Sequence, residues 1–363
     1  MKIAWYNTFE MVGIGFGYTS HQKNLRAALE RRGVEIDDKA DIAVSIVPAG
    51  NFERVPGKFN VLYTMYEATD IPESWIPKIN SADLIVVPCT HNKRLFRKYT
   101  NLPIEVCWEG VDVDTFTYVE REFPNGDRPF IYLWFGASNE RKGYVHMIVA
   151  WKKFCLQNPE LFDKVRLVMK TTQTSDNRKR IIGYEFGKPI YKEMPVERVF
   201  RAENAIVDTR RLPVKAQNGL PGLVDVYHDA HAFVFPTMGE GFGLTLAEAM
   251  ATGLPCIYTP WSGPVDFISP TEGYPLKWHF TSIKAMTPMS DGTFRKDLDT
   301  YAASADIDHI VQRMQQVYYD YETALKKGRL AAERIRRDIT WDKSAARFEE
   351  ILKCYTKNLG AVA

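Results

Sequence analysis

The sequence lacks the long apolar runs that membrane spans require, since no stretch approaches about 18 consecutive apolar residues. Residues 1–6 form the pattern of a short strand, where a signal peptide would be longer and more apolar. These patterns predict a chain that is neither secreted nor membrane-spanning, and we expect it in the cytoplasm.

Cysteine is scarce, and neither sign of charge dominates. The five cysteines are odd in number and show no CxxC spacing, which disfavours a disulfide framework and a zinc site. Lysine and arginine number 47 against 45 aspartates and glutamates, so the formal net charge is only +2. This excess provides no large field for nucleic acid or an anionic membrane, and any basic site must be local.

The composition that remains is that of an ordinary globular protein. Hydrophobic residues make up 45% and charged residues 25% of the chain, with 23 glycines and 20 prolines. These values exclude a disordered, collagen-like or coiled-coil chain. A length of 363 residues predicts two domains, and the sequence contains no internal repeat.

Short apolar runs alternate with helical periodicity in the first third of the chain, as in a parallel sheet with crossover helices. We predict five strands there, at residues 2–6, 41–47, 60–65, 83–87 and 104–108, with helices near 19–32, 72–80 and 91–99. Together these elements would complete an open α/β sheet.

The alternation lapses over residues 120–129, a charged stretch with proline and glycine that is typical of a linker. It then resumes with predicted strands at 130–135, 165–169, 232–235 and 256–258, helices near 143–156 and 244–251, and mainly helix over 306–357. We therefore predict Rossmann-like domains at 1–122 and 123–340, and a helix at 341–363 that packs back on the first domain. Ligands of such folds bind in the cleft outside the carboxyl ends of the strands, here between two facing sheets.

A glycine-rich loop joins a predicted strand to a helix at residues 235–251. Its glycines allow close approach to a ligand, and the start of the following helix suits an anion such as a diphosphate. Glu240 lies in the loop, and Glu248 follows eight residues later, where a carboxylate could accept hydrogen bonds from two ribose hydroxyls. The spacing fits a sugar nucleotide, and it equally fits a plain turn with two solvated acids.

A second loop, at residues 135–143, also follows a strand and precedes a helix. Arg141 and Lys142 could neutralise a diphosphate as the glycosidic bond breaks and negative charge builds on the leaving group. The alternative is a solvated pair of cations at the start of a helix.

The segment from Glu240 to Met250, with Gly-Leu-Pro at 253–255, resembles the Glu-x7-Glu signature of retaining GT-B glycosyltransferases of family 4. The segments at 88–92, 109–116 and 339–341 resemble further motifs of that family, in the same order along the chain. The resemblance implies that Glu240 contacts the transferred sugar and that Glu248 binds the ribose. It also implies that four backbone positions hold the sugar and phosphate: Gly241, Phe242, Gly243 and Leu244.

Glycines also recur near the start of the chain, at Gly13, Gly15 and Gly17. A dinucleotide fingerprint is disfavoured, because the spacing is GxGxG and no acid ends the next predicted strand. The family has a glycine-rich loop here beside the donor phosphate, so the resemblance implies that role for Gly15 and Gly17.

The chain departs from the family pattern at two places. Ala137 stands where the family has an arginine, and Arg141 could substitute for it. The histidine that many relatives carry after the third strand is absent, which leaves Glu67 and His91 as candidates to face the acceptor. For Glu67 the alternative is a carboxylate that favours a helix N-terminus. The basic segment 91–99 fits either a solvated helix face or contact with a lipid phosphate, a membrane surface or nucleic acid.

The predicted function is transfer of a hexosyl group from a nucleotide-diphosphate sugar, with UDP or GDP, to an acceptor hydroxyl with retention. The resemblance implies neither a cofactor nor a metal, and the DxD at Asp112 and Asp114 is given none, because the same pattern recurs at 297–299 and 306–308. Two alternatives stay open: a non-catalytic subunit that binds sugar nucleotides, and an enzyme specialised for a modified nucleic-acid base.

Overall fold

Two six-stranded parallel sheets form the body of the protein in a computed structural model. The structure describes residues 1–6, 16–126, 128–137, 139–171, 181–185, 188–194, 204–208, 212–217, 221–283 and 300–357. The prediction of two Rossmann-like α/β domains is confirmed.

The first sheet has the strand order β2-β1-β3-β4-β5-β6. Its strands are β1 (Lys2–Trp5), β2 (Glu35–Ile36), β3 (Ile42–Ile46), β4 (Phe59–Tyr63), β5 (Leu84–Val87) and β6 (Ile104–Val106), and its helices are α1 (Phe16–Arg31), α2 (Ile76–Ile79) and α3 (Thr90–Arg97). The prediction of five strands was wrong by one, because the two-residue β2 is too short to show an apolar pattern. The helix predicted over 72–80 is a 3-10 turn at Glu73–Trp75 followed by α2, since Pro77 fits only the first turn of an α-helix.

The second sheet has the order β11-β8-β7-β12-β13-β14 and is flanked by two antiparallel hairpins, β9-β10 and β15-β16. Its strands and hairpins are β7 (Phe130–Phe135), β8 (Val165–Lys170), β9 (Ile181–Glu185), β10 (Lys188–Met194), β11 (Ala205–Asp208), β12 (Ala232–Phe235), β13 (Cys256–Tyr258), β14 (Gly273–Pro275), β15 (Trp278–Ser282) and β16 (Tyr301–Ala305). The helices are α4 (Tyr144–Gln157), α5 (Leu223–His228), α6 (Leu244–Ala251), α7 (Ile307–Tyr319), α8 (Tyr321–Asp338) and α9 (Trp341–Thr356). Strands β7 and β12 are neighbours, so the loops that follow them reach the same edge of the sheet.

The last helix, α9, returns to the first domain and packs against α1. Its apolar residues Trp341, Phe348 and Leu352 share one core cluster with Ile3 and Leu25. We keep residue 122 as a proposed domain boundary, because it lies between β6 and β7. Within the described ranges, no helix is long and apolar enough to cross a bilayer.

The two domains are also joined by hydrogen bonds beside the cleft. Asp266 of the second domain accepts hydrogen bonds from the Thr90 backbone N–H at 2.8 Å and from the Trp108 indole N–H at 3.2 Å. The Thr69 backbone N–H donates to the Tyr301 carbonyl at 3.1 Å, which ties the β15-β16 hairpin to the segment after β4. These bonds hold the segments after β4, β5 and β6 against the second domain.

Gly143 ends the loop after β7 in the left-handed region, with φ at +70°, and a Cβ atom there would lie 2.0 Å from the Pro236 carbonyl oxygen. We expect Gly143→Ala to lower the free energy of unfolding by more than about 2 kcal/mol. The alanine would be strained in the left-handed conformation, and the clash of its Cβ atom with the Pro236 carbonyl would add to that cost. Gly57→Ala is the matched control, since Gly57 has φ at +75° and open space around it. Urea unfolding measures the free energy of unfolding of both variants, and an equal decrease in the two would contradict the prediction.

Candidate active site

The loops after β7 and β12 meet at the carboxyl edge of the second sheet. The Asn139 side chain accepts a hydrogen bond from the Lys142 backbone N–H at 3.1 Å and caps a 3-10 turn at Glu140–Lys142. The Met238 N–H donates to the Arg141 carbonyl at 2.7 Å. These bonds hold the two cations of one loop beside the glycine-rich segment of the other.

Glu240 is held directly by the cations of the neighbouring loop. The Lys142 ammonium donates to both carboxylate oxygens of Glu240, at 2.8 and 2.7 Å. Arg141 Nη1 lies 3.6 Å from Glu240 Oε2 and donates to the Gly239 carbonyl at 2.7 Å. Glu240 is only 5% exposed, so its charge needs these partners, and the alternative of a solvated acid in a plain turn is wrong.

Glu67, from the first domain, completes a cluster of four charges with Arg141, Lys142 and Glu240. Its Oε1 lies 3.4 Å from Arg141 Nη1, and its side chain is 25% exposed. The segment around it packs closely, since a Cβ atom at Gly241 would lie 2.3 Å from the Met65 sulfur. Glu67 lies in a loop six residues before the turn at Glu73, so the alternative of a helix N-terminal carboxylate is wrong.

The pKa shifts in this cluster follow from burial and from the two acids. Burial lowers the pKa of Lys142, and Arg141 acts in the same direction while Glu240 opposes it. Burial also acts to lower the pKa of Arg141, but Glu67 and Glu240 outweigh it and raise that pKa above its ordinary value. The cluster therefore keeps Arg141 charged, and its two acids balance its two bases.

Glu248 lies on α6, outside this cluster, and has its own partner. It accepts a hydrogen bond from the Tyr227 hydroxyl at 2.9 Å. Burial raises the pKa of Glu248 to about 7; the bond from Tyr227 opposes this rise and the charge of Glu109 adds to it. Tyr227 was not predicted, because it lies on α5, 21 positions before Glu248, with no motif that joins them.

The other residues that the resemblance assigned to the donor lie at the starts of two helices, α1 and α6, except Gly15, which is not described. Phe242 is buried and stacks on Phe267 with ring centroids 4.7 Å apart, so only its backbone could contact a ligand. Gly243 caps α6 with φ at +112°, and Leu244 is the first residue of that helix. Gly17 lies in the first turn of α1 with nothing within 4 Å of an added Cβ, and Gly15 lies outside the described residues.

His91, the second acceptor candidate, lies in the first turn of α3. Its ring is 4.9 Å from the ring of Trp261, centroid to centroid, and its Nε2 is 3.2 Å from the Ala68 carbonyl oxygen. Burial lowers the pKa of His91, so the ring is neutral at pH 7. It lies beside the loop that carries Glu67 and is separate from the four-charge cluster.

A buried pair that sequence reasoning did not single out joins α1 to the segment after β6. His21 of α1 is fully buried, with Nδ1 3.1 Å from Glu109 Oε1 and its ring 4.3 Å from that of Tyr63. Helical spacing places His21 four positions before Leu25, on the buried face of α1, which was the available signal. Glu109 had been noted only as part of a family motif.

The DxD pattern is used locally. Asp112 accepts hydrogen bonds from the backbone N–H groups of Asp114 and Thr115, both at 3.2 Å, and so closes a turn. In the part of the chain that the structure describes, no group of three His, Cys, Asp or Glu side chains is arranged to hold a metal ion. Independence from metal stays a prediction.

Two protein families match the part of the chain that forms the second domain. The family described as "Glycosyl transferases group 1" matches residues 133–277, and "Family 4 Glycosyltransferase in conflict systems" matches residues 208–348. A sucrose synthase from Melioribacter roseus is 26% identical over 123 residues, which are 34% of this chain and 13% of that protein. Both family matches include Glu240, Glu248 and α6.

Solved structures share the whole architecture. A sucrose-phosphate synthase from Thermosynechococcus elongatus superposes with a TM-score of 0.65 at 13% identity and covers 100% of both chains. A glycosyltransferase from Rickettsia africae superposes with a TM-score of 0.63 at 12% identity and covers 98% of both chains. TarM superposes with a TM-score of 0.57 at 12% identity, and the match covers 86% of this chain and 54% of TarM. The fold is therefore GT-B, with two parallel-sheet domains.

Proposed function

We propose that this chain is a retaining glycosyltransferase that moves a hexosyl group from a nucleotide-diphosphate sugar, with UDP or GDP, to an acceptor hydroxyl. The observation that carries the proposal is the contact of Glu240 with Lys142, at 2.7 and 2.8 Å, at the strand edge where GT-B folds bind ligands. The two matching glycosyltransferase families, which both include Glu240, support it.

Lys142 and Arg141 serve the leaving group in this proposal. In the free protein their charges are balanced by Glu240 and Glu67. When the donor binds, its diphosphate competes for the same cations, and they stabilise the charge that grows as the glycosidic bond breaks. Glu240 is then released to bind hydroxyls of the transferred sugar.

The rest of the donor extends along α6. The backbone of Gly241, Gly243 and Leu244, at the start of that helix, offers N–H groups to phosphate or sugar oxygens. Glu248, oriented by Tyr227, accepts hydrogen bonds from the ribose hydroxyls. Gly17, in the first turn of α1, approaches the diphosphate from the first domain, and Gly15 keeps the same role on the family resemblance alone.

The acceptor enters from the first domain, beside Glu67 and His91. Position and charge are what the protein supplies, because the leaving phosphate oxygen itself draws the proton from the acceptor hydroxyl on the same face. The reaction therefore needs no cofactor and no metal, and we place it in the cytoplasm.

The competing function is a non-catalytic subunit that binds sugar nucleotides, and Ala137 favours it, because the family's arginine is missing there. Arg141 opposes it, since it already lies 3.6 Å from Glu240. Release of nucleotide from a bound donor distinguishes the two, because a binding subunit would not turn the donor over.

The donor is identified by thermal unfolding across a panel of UDP, GDP and ADP sugars. We expect one donor to stabilise the protein by about 3 kcal/mol at 100 times its Kd, because it binds only the folded state. If no nucleotide sugar raised the melting temperature, the proposal of a donor site would be wrong.

The affinity for the donor should depend on pH through Glu248. Its pKa of about 7 lies above the ordinary 4.5, so the free protein loses stability as the pH rises between those values. Donor affinity should rise by up to about tenfold from about pH 6 to about pH 8, because the ionised carboxylate is the better acceptor for ribose hydroxyls. The donor's own phosphates are both esterified and do not titrate there.

Calorimetry on wild type and Glu248→Gln tests this dependence. We expect weaker binding and a flat pH profile for Glu248→Gln. An equal rise with pH in both proteins would assign the dependence to another group.

A further inference from the structure

Three aromatic side chains form a cluster near the hydrogen bond that joins the β15-β16 hairpin to the segment after β4: Trp261, Trp278 and Phe280. The Trp278 and Phe280 rings are 5.0 Å apart on one face of β15, and the Trp261 ring lies 6.3 and 6.0 Å from them. Phe280 is 53% exposed, and both indoles are half-buried. A contiguous patch of large aromatic rings in contact with water is typical of a binding surface.

This aromatic cluster borders the acceptor side of the candidate active site. A Cβ atom at Gly239 would lie 2.6 Å from the Trp261 ring and 2.2 Å from the Glu67 carbonyl oxygen. The Gly239 carbonyl in turn accepts the hydrogen bond from Arg141. A molecule stacked on the aromatic cluster would therefore lie next to Glu67 and within reach of the transferred sugar.

Positive charge adjoins the same cluster along α3. His91, Arg94 and Lys98 follow one another at spacings of three and four, so they share one face of the helix. The His91 ring contacts Trp261, and Lys98 donates to the Thr69 carbonyl at 2.8 Å beside β16. Arg94 is exposed between these two contacts, so it flanks the aromatic hairpin.

The charges on this face are unequal. Lys98 lies 3.1 Å from Asp70, which neutralises it, and the pKa of His91 is lowered. Arg94 and, one turn on, Arg97 are exposed cations, and the Arg97 guanidinium donates to the Leu102 carbonyl at 3.0 Å. The surface therefore places flat rings next to a short row of cations, although the whole chain carries only +2.

We propose that this surface binds a polynucleotide, whose bases stack on the aromatic cluster while its phosphates contact Arg94 and Arg97. Polynucleotides alternate flat rings with anionic groups, which matches the surface. A neutral glycan would leave the cations unused. An anionic membrane would contact the cations but needs several projecting rings to insert, and of the three rings only Phe280 is more than half exposed. The proposal rests on the proposed function, whose acceptor it names.

Transfer to such an acceptor breaks one bond, forms another and moves one proton. The bond between the sugar's anomeric carbon and the diphosphate oxygen breaks, and a bond forms from that carbon to the ribose 2′-hydroxyl oxygen of the RNA nucleotide held beside Glu67. The hydroxyl proton passes to the leaving diphosphate.

The test is fluorescence anisotropy of a labelled, mixed-sequence RNA single strand of about 16 nucleotides with the full chain. We expect salt-dependent binding that Phe280→Ala weakens at least about fivefold, because a base loses its stacking partner. Arg94→Glu should weaken binding further and reduce the salt dependence. Tyr319→Ala, at a 63% exposed ring on α7, and Lys326→Glu, on α8, are matched controls and should bind as the wild type does.

Dextran sulfate, neutral dextran and anionic vesicles serve as competitors. The proposal is overturned if dextran sulfate competes as well as unlabelled oligonucleotide and Phe280→Ala binds normally, since charge alone would explain the binding. It is also overturned if only dextran or vesicles bind, or if no probe binds. Thermal stabilisation of the wild type by a nucleotide sugar is measured separately, so a failure here leaves the donor site standing.

Discussion

Glu240→Gln should lower the rate of sugar transfer by at least about 100-fold, the usual cost of removing one group that stabilises the transition state. The carboxylate is buried and held by Lys142 at 2.7 and 2.8 Å, so its position is fixed before the donor arrives. The amide keeps the shape of the side chain and loses the charge. The rate of nucleotide release with the donor found in the thermal panel measures the effect.

Glu240→Gln also changes stability, because the substitution leaves the cations of Lys142 and Arg141 with one acid fewer. The effect on stability must therefore be separated from the effect on catalysis. Loss of one partner from a buried ion pair costs about 3 to 5 kcal/mol. The double variant Glu240→Gln with Lys142→Met restores the charge balance and should regain stability without regaining transfer. Normal transfer in either variant would remove Glu240 from the active site.

Lys142→Met should lower kcat by about 100-fold or more, because the leaving diphosphate loses a buried counter-charge. The affinity for the acceptor should change little, since Lys142 lies on the donor side. Lys153→Met is the matched control: Lys153 also pairs with an acid, Asp308, but at an exposed site where ion pairs contribute little. Steady-state kinetics that gave equal kcat values for the two variants would assign Lys142 a structural role only.

The meeting of the two loops could be predicted from the sequence. Apolar runs located β7 and β12, and Lys142 and Glu240 each follow one of these strands by a few residues. Because parallel strands present their carboxyl ends at one edge, both side chains were expected on the same side of the sheet. The resemblance then gave Glu240 and Glu248 separate roles, which remain predictions.

Other contacts depend on tertiary packing that local patterns do not encode. Glu67 reaches Arg141 because the segment after β4 packs against Gly239 and Gly241 of the other domain. Strand β15 was missed because 18 residues separate it from its partner β16, and a hairpin with so long a connection has no turn signal. The same hairpin creates the aromatic cluster, so that surface was also not predicted.

A crystal structure of the complex with the stabilising nucleotide sugar tests the central claim most directly. We expect the Glu240 carboxylate within hydrogen-bond distance of the transferred sugar, Lys142 and Arg141 on the diphosphate, and Glu248 on the ribose hydroxyls. A donor bound elsewhere, with Lys142 still paired to Glu240, would contradict the account.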